Sequence, residues 1–112
     1  MDCLFCKIIA GEIPSSIVYR DETVVAFRDI EPQAPVHILV VPTTHYANVL
    51  EASQVPGVMD ALMRTAARIA KEQGLAESGF RLVLNTGADA GQTVSHVHVH
   101  ILGGKPLSTE LN

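Results

Sequence analysis

Tryptophan is absent from this 112-residue chain, and aromatic residues of all kinds make up only 4% of it. A chain so poor in aromatics has little with which to stack the bases of a single-stranded nucleic acid. Basic residues are few as well: 8 Lys+Arg stand against 12 Asp+Glu, for a net charge of -4. That balance excludes a sequence-independent grip on a phosphate backbone and leaves room only for a local pocket that takes one small anion. The longest strand-like apolar run, residues 38–41, is far short of the roughly 18 residues that span a bilayer. Neither a nucleic-acid partner nor a membrane is expected on these grounds. Met1-Asp2-Cys3 shows no basic stretch followed by an apolar one, so it does not read as a secretory leader. Cysteine is scarce too. Cys3 and Cys6 make one Cys-x-x-Cys, too little for the bridged framework of a small secreted domain, and a reducing, cytoplasmic home is expected.

What is present suffices for a core. Hydrophobic residues reach 47% and charged residues 18%, a balance that excludes disorder and fits a single domain over residues 1–112. Asp2 is positioned to cap a short helix over residues 3–10 that Gly11 ends. Residues 17–20 and 23–29 are rich in β-branched and aromatic side chains and read as a hairpin. Pro32 and Pro35 bracket a loop, residues 37–41 form a third strand stopped by Pro42, and residues 43–54 carry no clear pattern. Over residues 56–73 the period lengthens: Val58, Leu62, Ala66 and Ile69 form one stripe, with Ser53 or Gln54 near the start, Pro56 in the first turn and Gly74 at the stop. Residues 80–85 and 94–102 supply two further strands around a glycine-containing loop at 86–91. The expected architecture is α+β: a five-stranded antiparallel sheet, one long helix packed on it and a short N-terminal helix.

Histidine carries the chemistry. Of the 5 His, His96, His98 and His100 alternate with Val97, Val99 and Ile101. On a strand, alternate side chains share a face, so three imidazoles would project together while the aliphatics anchor the strand in the core. Two chemistries suit such a face. One is a divalent zinc held by neutral imidazoles. The other is a nucleophilic imidazole whose far nitrogen is protonated and held, attacking a phosphoryl centre flanked by N–H donors. The small-residue stretch Gly87-Ala88-Asp89-Ala90-Gly91-Gln92-Thr93 just upstream adds weight to the second, since its backbone can approach an anion and Gln92 and Thr93 bring side-chain donors.

His96-Val97-His98-Val99-His100-Ile101-Leu102 resembles the motif of the histidine triad (HIT) nucleotide-binding superfamily. The likeness to its Hint branch runs through Asp2 to Ile9, Gly11 to Pro14, Ala26 to Ile30, Pro35 to Pro42 and Gly91 to Val94. The resemblance implies a hydrolase for purine nucleoside 5'-phosphoramidates, with AMP- or GMP-like nucleotides as ligands and no cofactor required for catalysis. In it His98 attacks the α-phosphorus to form a nucleotidyl-histidine, His100 donates to phosphate oxygens or the bridging atom, and His96 and His37 support the nucleophile. Asp29 would accept from the ribose hydroxyls, with Ile30 and Phe27 beside the base and Leu4, Phe5, Ile8 and Leu39 as apolar walls. Asn85, Gly91, Gln92 and Thr93 would contact phosphate and leaving group. The resemblance also implies a homodimer, and a structural zinc on Cys3, Cys6, His45 and His96. Ser95 and Thr93 depart from the commoner residues at their places, and Gly-Gln-Thr-Val also occurs in the dinucleoside polyphosphate branch. Hydrolysis of such dinucleotides, a non-catalytic nucleotide-binding scaffold and a zinc hydrolase are therefore the alternatives.

Overall fold

The computed structural model describes residues 3–110. In chain order they form α1 (Leu4–Ile9), β1 (Ile17–Arg20), β2 (Val24–Arg28), β3 (Val36–Pro42), α2 (Val49–Ala52), α3 (Val58–Glu72), β4 (Phe80–Val83) and β5 (Val99–Gly103). The strands make one sheet in the order β1-β2-β3-β5-β4, with every pairing antiparallel. β3 and β5 sit at its centre, which places His37 and His100 on neighbouring strands.

Alternation decides what each face carries. Val24 and Ala26 of β2, Ile38 and Val40 of β3, and Val99 and Ile101 of β5 turn to one side, where they bury Leu62, Ala66, Ile69 and Ala70 of α3. Val25, Phe27, Leu39 and Val41 turn to the other and pack with Cys3, Phe5 and Ile8 of the N-terminal helix. β2 and β3 are covered on both sides, so they read in sequence as nearly unbroken apolar runs rather than alternating ones. The long helix buries the expected stripe, joined by Thr65 and Ala70.

The departures are local and have causes. Cys3 is the N-cap of α1, its sulfur accepting the Cys6 N–H at 3.3 Å, while the expected cap Asp2 lies outside the described residues. α3 starts at Val58 rather than Pro56: the cap position is Gly57 at φ 87°, with no side-chain cap from Ser53 or Gln54. The patternless stretch 43–54 contains α2, capped by the Asn48 side chain, which accepts from the N–H groups of Leu50 and Glu51. The expected strand over 94–102 is regular only from Val99, because residues 94–96 bend away. No helix of the described residues is long and apolar enough to cross a membrane.

Candidate active site

The face shared by α1 and the sheet encloses a cavity of about 510 Å³. Apolar Leu4, Phe5, Ile8, Phe27 and Leu39 line one part of it, and His37, His98, His100, Asp29 and Thr93 the other, with Ile30 at its rim. Eleven of the residues singled out from sequence thus meet around one cleft. Ile13, Pro14, Ser15, Gln33 and Val94 line it too, none of them carrying a chemical signature that sequence reading could have found.

The three alternating histidines do lie on one side of the chain, opposite Val97, Val99 and Ile101. The rings of His98 and His100 meet edge to face, their centroids 4.9 Å apart, and Phe5 sets its ring against His98 at 5.0 Å. Backbone groups fix which nitrogen of each ring carries the proton. The main-chain oxygen of His96 can only accept, so His98 Nδ1, 2.7 Å away, is the protonated nitrogen and Nε2 keeps its lone pair. The Gln33 N–H donates to His37 Nδ1 at 3.0 Å, so His37 holds its proton on Nε2, and this donates to His100 Nδ1 at 2.9 Å. His100 therefore carries its own proton on Nε2. A bare nitrogen on one ring and an N–H on the next stand side by side.

All four of these rings are biased toward the neutral form. Burial pushes His37, His96 and His98 below the ordinary imidazole value, against the opposing pull of Asp29 on His37 and His98 and of the Pro42 and His96 carbonyls on their ring partners. Burial, reinforced by the neighbouring His98 and His37, takes His100 down to about 4. Asp29 Oδ2 stands 3.5 Å from His37 Nε2, but the shorter contact to His100 takes that proton, so the pair is not a closed ion pair. Asp29 Oδ1 accepts the Glu31 N–H at 2.8 Å, which fixes the carboxylate at the rim of the cleft.

The glycine-containing loop is built differently from expectation. Four of its N–H groups turn inward: Gly87 donates to Gln92 Oε1, Ala90 and Gln92 to the Gly87 carbonyl, and Gly91 to the Ala88 carbonyl. The Gln92 amide donates to the carbonyls of Ala47 at 2.7 Å and Val94 at 3.0 Å. Gln92 is thus a staple between this loop and the segment after β3, and four of the loop's N–H groups are engaged within the loop. Gly91 and Gln92 do not line the cleft, and of the loop residues singled out only Thr93 does. Asn85 opens instead into an adjoining depression of about 680 Å³, lined also by Arg81, Val83 and Glu110, which shares Gln33, His37 and His100 with the cleft.

A second cluster stands behind His98. Cys3, Cys6, His45 and His96 bring their ligand atoms within 4.8 Å of one another. His96 Nδ1 lies 3.3 Å from Cys3 Sγ, 3.6 Å from Cys6 Sγ and 3.2 Å from His45 Nδ1, and Cys6 Sγ lies 3.4 Å from His45 Nδ1. Donors around a tetrahedral zinc stand roughly 3.3–3.8 Å apart, as bond lengths near 2.0–2.3 Å require. His96 Nε2–H donates to the Pro42 carbonyl at 2.9 Å, which leaves its Nδ1 lone pair aimed into the cluster. The donor set and spacing fit zinc. Both cysteines are thiols rather than a disulfide, and burial together with the Cys3 sulfur pushes the Cys6 thiol up to about 11. A cation entering here must displace protons. His96, singled out both as support for the nucleophile and as a metal ligand, turns its ring into this cluster and hydrogen-bonds His98 through its main-chain oxygen.

The HIT domain family model matches residues 10–107. The purine nucleoside phosphoramidase of Escherichia coli (strain K12) is 47% identical over 111 residues, covering 98% of this chain and 93% of that protein. The 14 kDa zinc-binding protein of Brassica juncea is 44% identical over 110 residues, covering 96% of each. Among solved structures, a HIT family hydrolase from Legionella pneumophila Philadelphia 1 superposes with a TM-score of 0.93 at 41% identity, covering 96% of this chain and 97% of that one.

Proposed function

This chain belongs to the HIT domain family, and we propose that it hydrolyses purine nucleoside 5'-phosphoramidates through a nucleotidyl intermediate on His98. The observation that carries the reading is the pair of neighbouring rings with opposite proton placement, His98 with Nε2 bare and His100 with Nε2 protonated. Asp29 at the rim suits the ribose hydroxyls, and the walls of Phe5, Phe27 and Leu39 suit a purine, which leaves the α-phosphorus before His98.

The free protein holds His100 neutral. An anionic phosphoramidate bound against the ring favours its protonated form: the added proton, taken from solvent, sits on Nδ1 as the His37 Nε2–H turns to Asp29 Oδ2, 3.5 Å away. His98 Nε2 attacks phosphorus, the P–N bond to the amine breaks, and the amine takes its electron pair together with the His100 proton. Positive charge then develops on the phosphorylated His98 ring, whose Nδ1–H points at the His96 carbonyl. Water attacks the same phosphorus and gives a proton to neutral His100, and His98 leaves. The sum is phosphoramidate plus water to nucleotide plus amine. The leaving amine would occupy the depression beside Arg81, Asn85 and Glu110, on the far side of His100. Cys3, Cys6, His45 and His96 would hold a structural zinc; when bound it neutralises and gathers thiolates and takes no part in bond-making.

The proposed protein is a cytoplasmic homodimer, a reading supported by two free thiols and by a sheet that ends in β4 with Phe80 exposed. Replacement of His98 by Ala tests the function: turnover of an AMP-linked amine should fall by at least roughly 10³-fold while AMP still binds. Acid-labile phosphorus trapped on the wild-type ring and absent from the variant would support the intermediate. Retained turnover in His98→Ala would end the proposal, and a preference for dinucleoside polyphosphates would reassign the substrate.

A further inference from the structure

Two networks described above meet in one residue. The His96 ring is a member of the four-donor cluster, and the His96 main-chain oxygen holds His98 Nδ1–H at 2.7 Å. We infer that the cluster is the anchor of the nucleophile: a zinc ion on Cys3, Cys6, His45 and His96 fixes the carbonyl from which His98 hangs, so that Cys3, Cys6 and His45 are positioning residues for a reaction they do not touch. The inference rests on the proposed role of His98.

The backbone around His96 needs such an anchor. Regular pairing of the strand begins only at Val99, so residues 94–98 lack the ladder that holds His100 against β3. They are held by the Gln92 amide on the Val94 carbonyl at 3.0 Å, the buried Val97 side chain and the Val97 N–H on the Tyr46 carbonyl at 2.7 Å, while the His96 ring is held by Pro42 and by the cluster. The cluster's other members come from elsewhere: Cys3 and Cys6 from the start of α1, and His45 from the segment after β3. A tetrahedral cation would tie these three segments at one point.

A second route runs through α1 itself. Cys3 is the cap of that helix, and Phe5, two residues on, sets its ring edge against both His96, at 5.9 Å, and His98, at 5.0 Å. Drawing the two sulfurs onto a cation therefore also seats the aromatic ring that walls His98. Without it, two thiols and two imidazoles crowd together with protons between them, and the start of α1 and the bend at His96 lose their common tie. A displacement near 1 Å at a reacting atom costs about 10²-fold in rate.

The test compares the full chain stripped with a chelator and the same chain reloaded with zinc chloride, with the histidines labelled with nitrogen-15. In the zinc-loaded chain the His98 Nδ1–H should give a sharp, slowly exchanging resonance. On stripping it should broaden away, with kcat for adenosine 5'-phosphoramidate falling about 10²-fold, and zinc should restore both. If the stripped chain unfolds, variants compared at saturating zinc decide instead: Cys6→His, which keeps a ligand, should retain the resonance and Cys6→Ser should lose it. A resonance and a kcat that stay within about twofold in stripped and loaded protein, or in both variants, would overturn the anchor. A zinc-dependent resonance in a chain that hydrolyses no phosphoramidate would uphold the anchor and overturn the function proposed for the site.

Discussion

His100 shows how far burial, reinforced by two neighbouring imidazoles, can reset one side chain. Its folded pKa is down to about 4 against an ordinary 6.5, so between those values the unfolded chain binds a proton that the folded chain refuses. Stability carried by this residue is therefore complete above about pH 6.5 and is lost as pH falls from there toward 4. Denaturant midpoints measured at several pH values should drop across that window, and the drop should be shallower in His100→Gln. Equal slopes in the two proteins would contradict the assignment. At this scale the site was partly legible in sequence. His98 and His100 declared themselves by residue type and spacing, Asp29 only through the family resemblance, and the three do meet at the cleft. The groups that set their protons were not legible, because the Gln33 N–H and the carbonyls of His96 and Pro42 are main-chain atoms that every residue carries. Gln92 misled for a related reason: its amide donors suit a phosphate, but two backbone carbonyls within reach take them both.

Among the elements, α3 was the easiest to read and is the easiest to test. Its buried stripe contains Leu62 at 0% exposure, so Leu62→Ala leaves a cavity against β3 and β5 and should cost about 2–5 kcal/mol in denaturant unfolding. The Asp60–Arg64 pair one turn away, 2.9 Å apart and well exposed, should contribute well under about 1 kcal/mol, so Asp60→Ala in the same assay is the internal contrast. A loss in Leu62→Ala no larger than that of Asp60→Ala would mean that the face is not packed as described. The strands were legible where alternation or a double-sided apolar run marked them. β5 was overextended because the His–aliphatic alternation continues through residues 96–98, where the backbone has already left the ladder. Alternation reports which side a residue faces, and it does so before hydrogen bonding becomes regular. α2 was missed because four residues are too few to show a period, and only the Asn48 cap marks them.

For the whole molecule, the sheet ends in open edges, and the β4 edge is the one proposed to pair. β4 is the last strand beyond β5, with its outer backbone groups without a further strand and Phe80 38% exposed. Such an edge is a template for pairing with another chain. Sedimentation at micromolar concentration should give twice the 12.0 kDa chain mass, and Phe80→Lys should shift the equilibrium toward the single chain. A wild-type protein that sediments as one chain would rule out the dimer. The order of elements and the sheet face covered by α3 follow from patterns local to the sequence. The meeting of Cys3 and Cys6 with His45 and His96 does not, since it depends on how α1 folds back over the sheet. The tautomers described earlier have an evolutionary corollary. Because peptide oxygens, an amide and the His37 ring decide which imidazole nitrogen is bare, the apolar walls of the cleft can drift without altering the acid–base roles of the rings. One residue inserted between Glu31 and Val36 would instead move the Gln33 amide off His37 and scramble those roles while leaving every histidine in place.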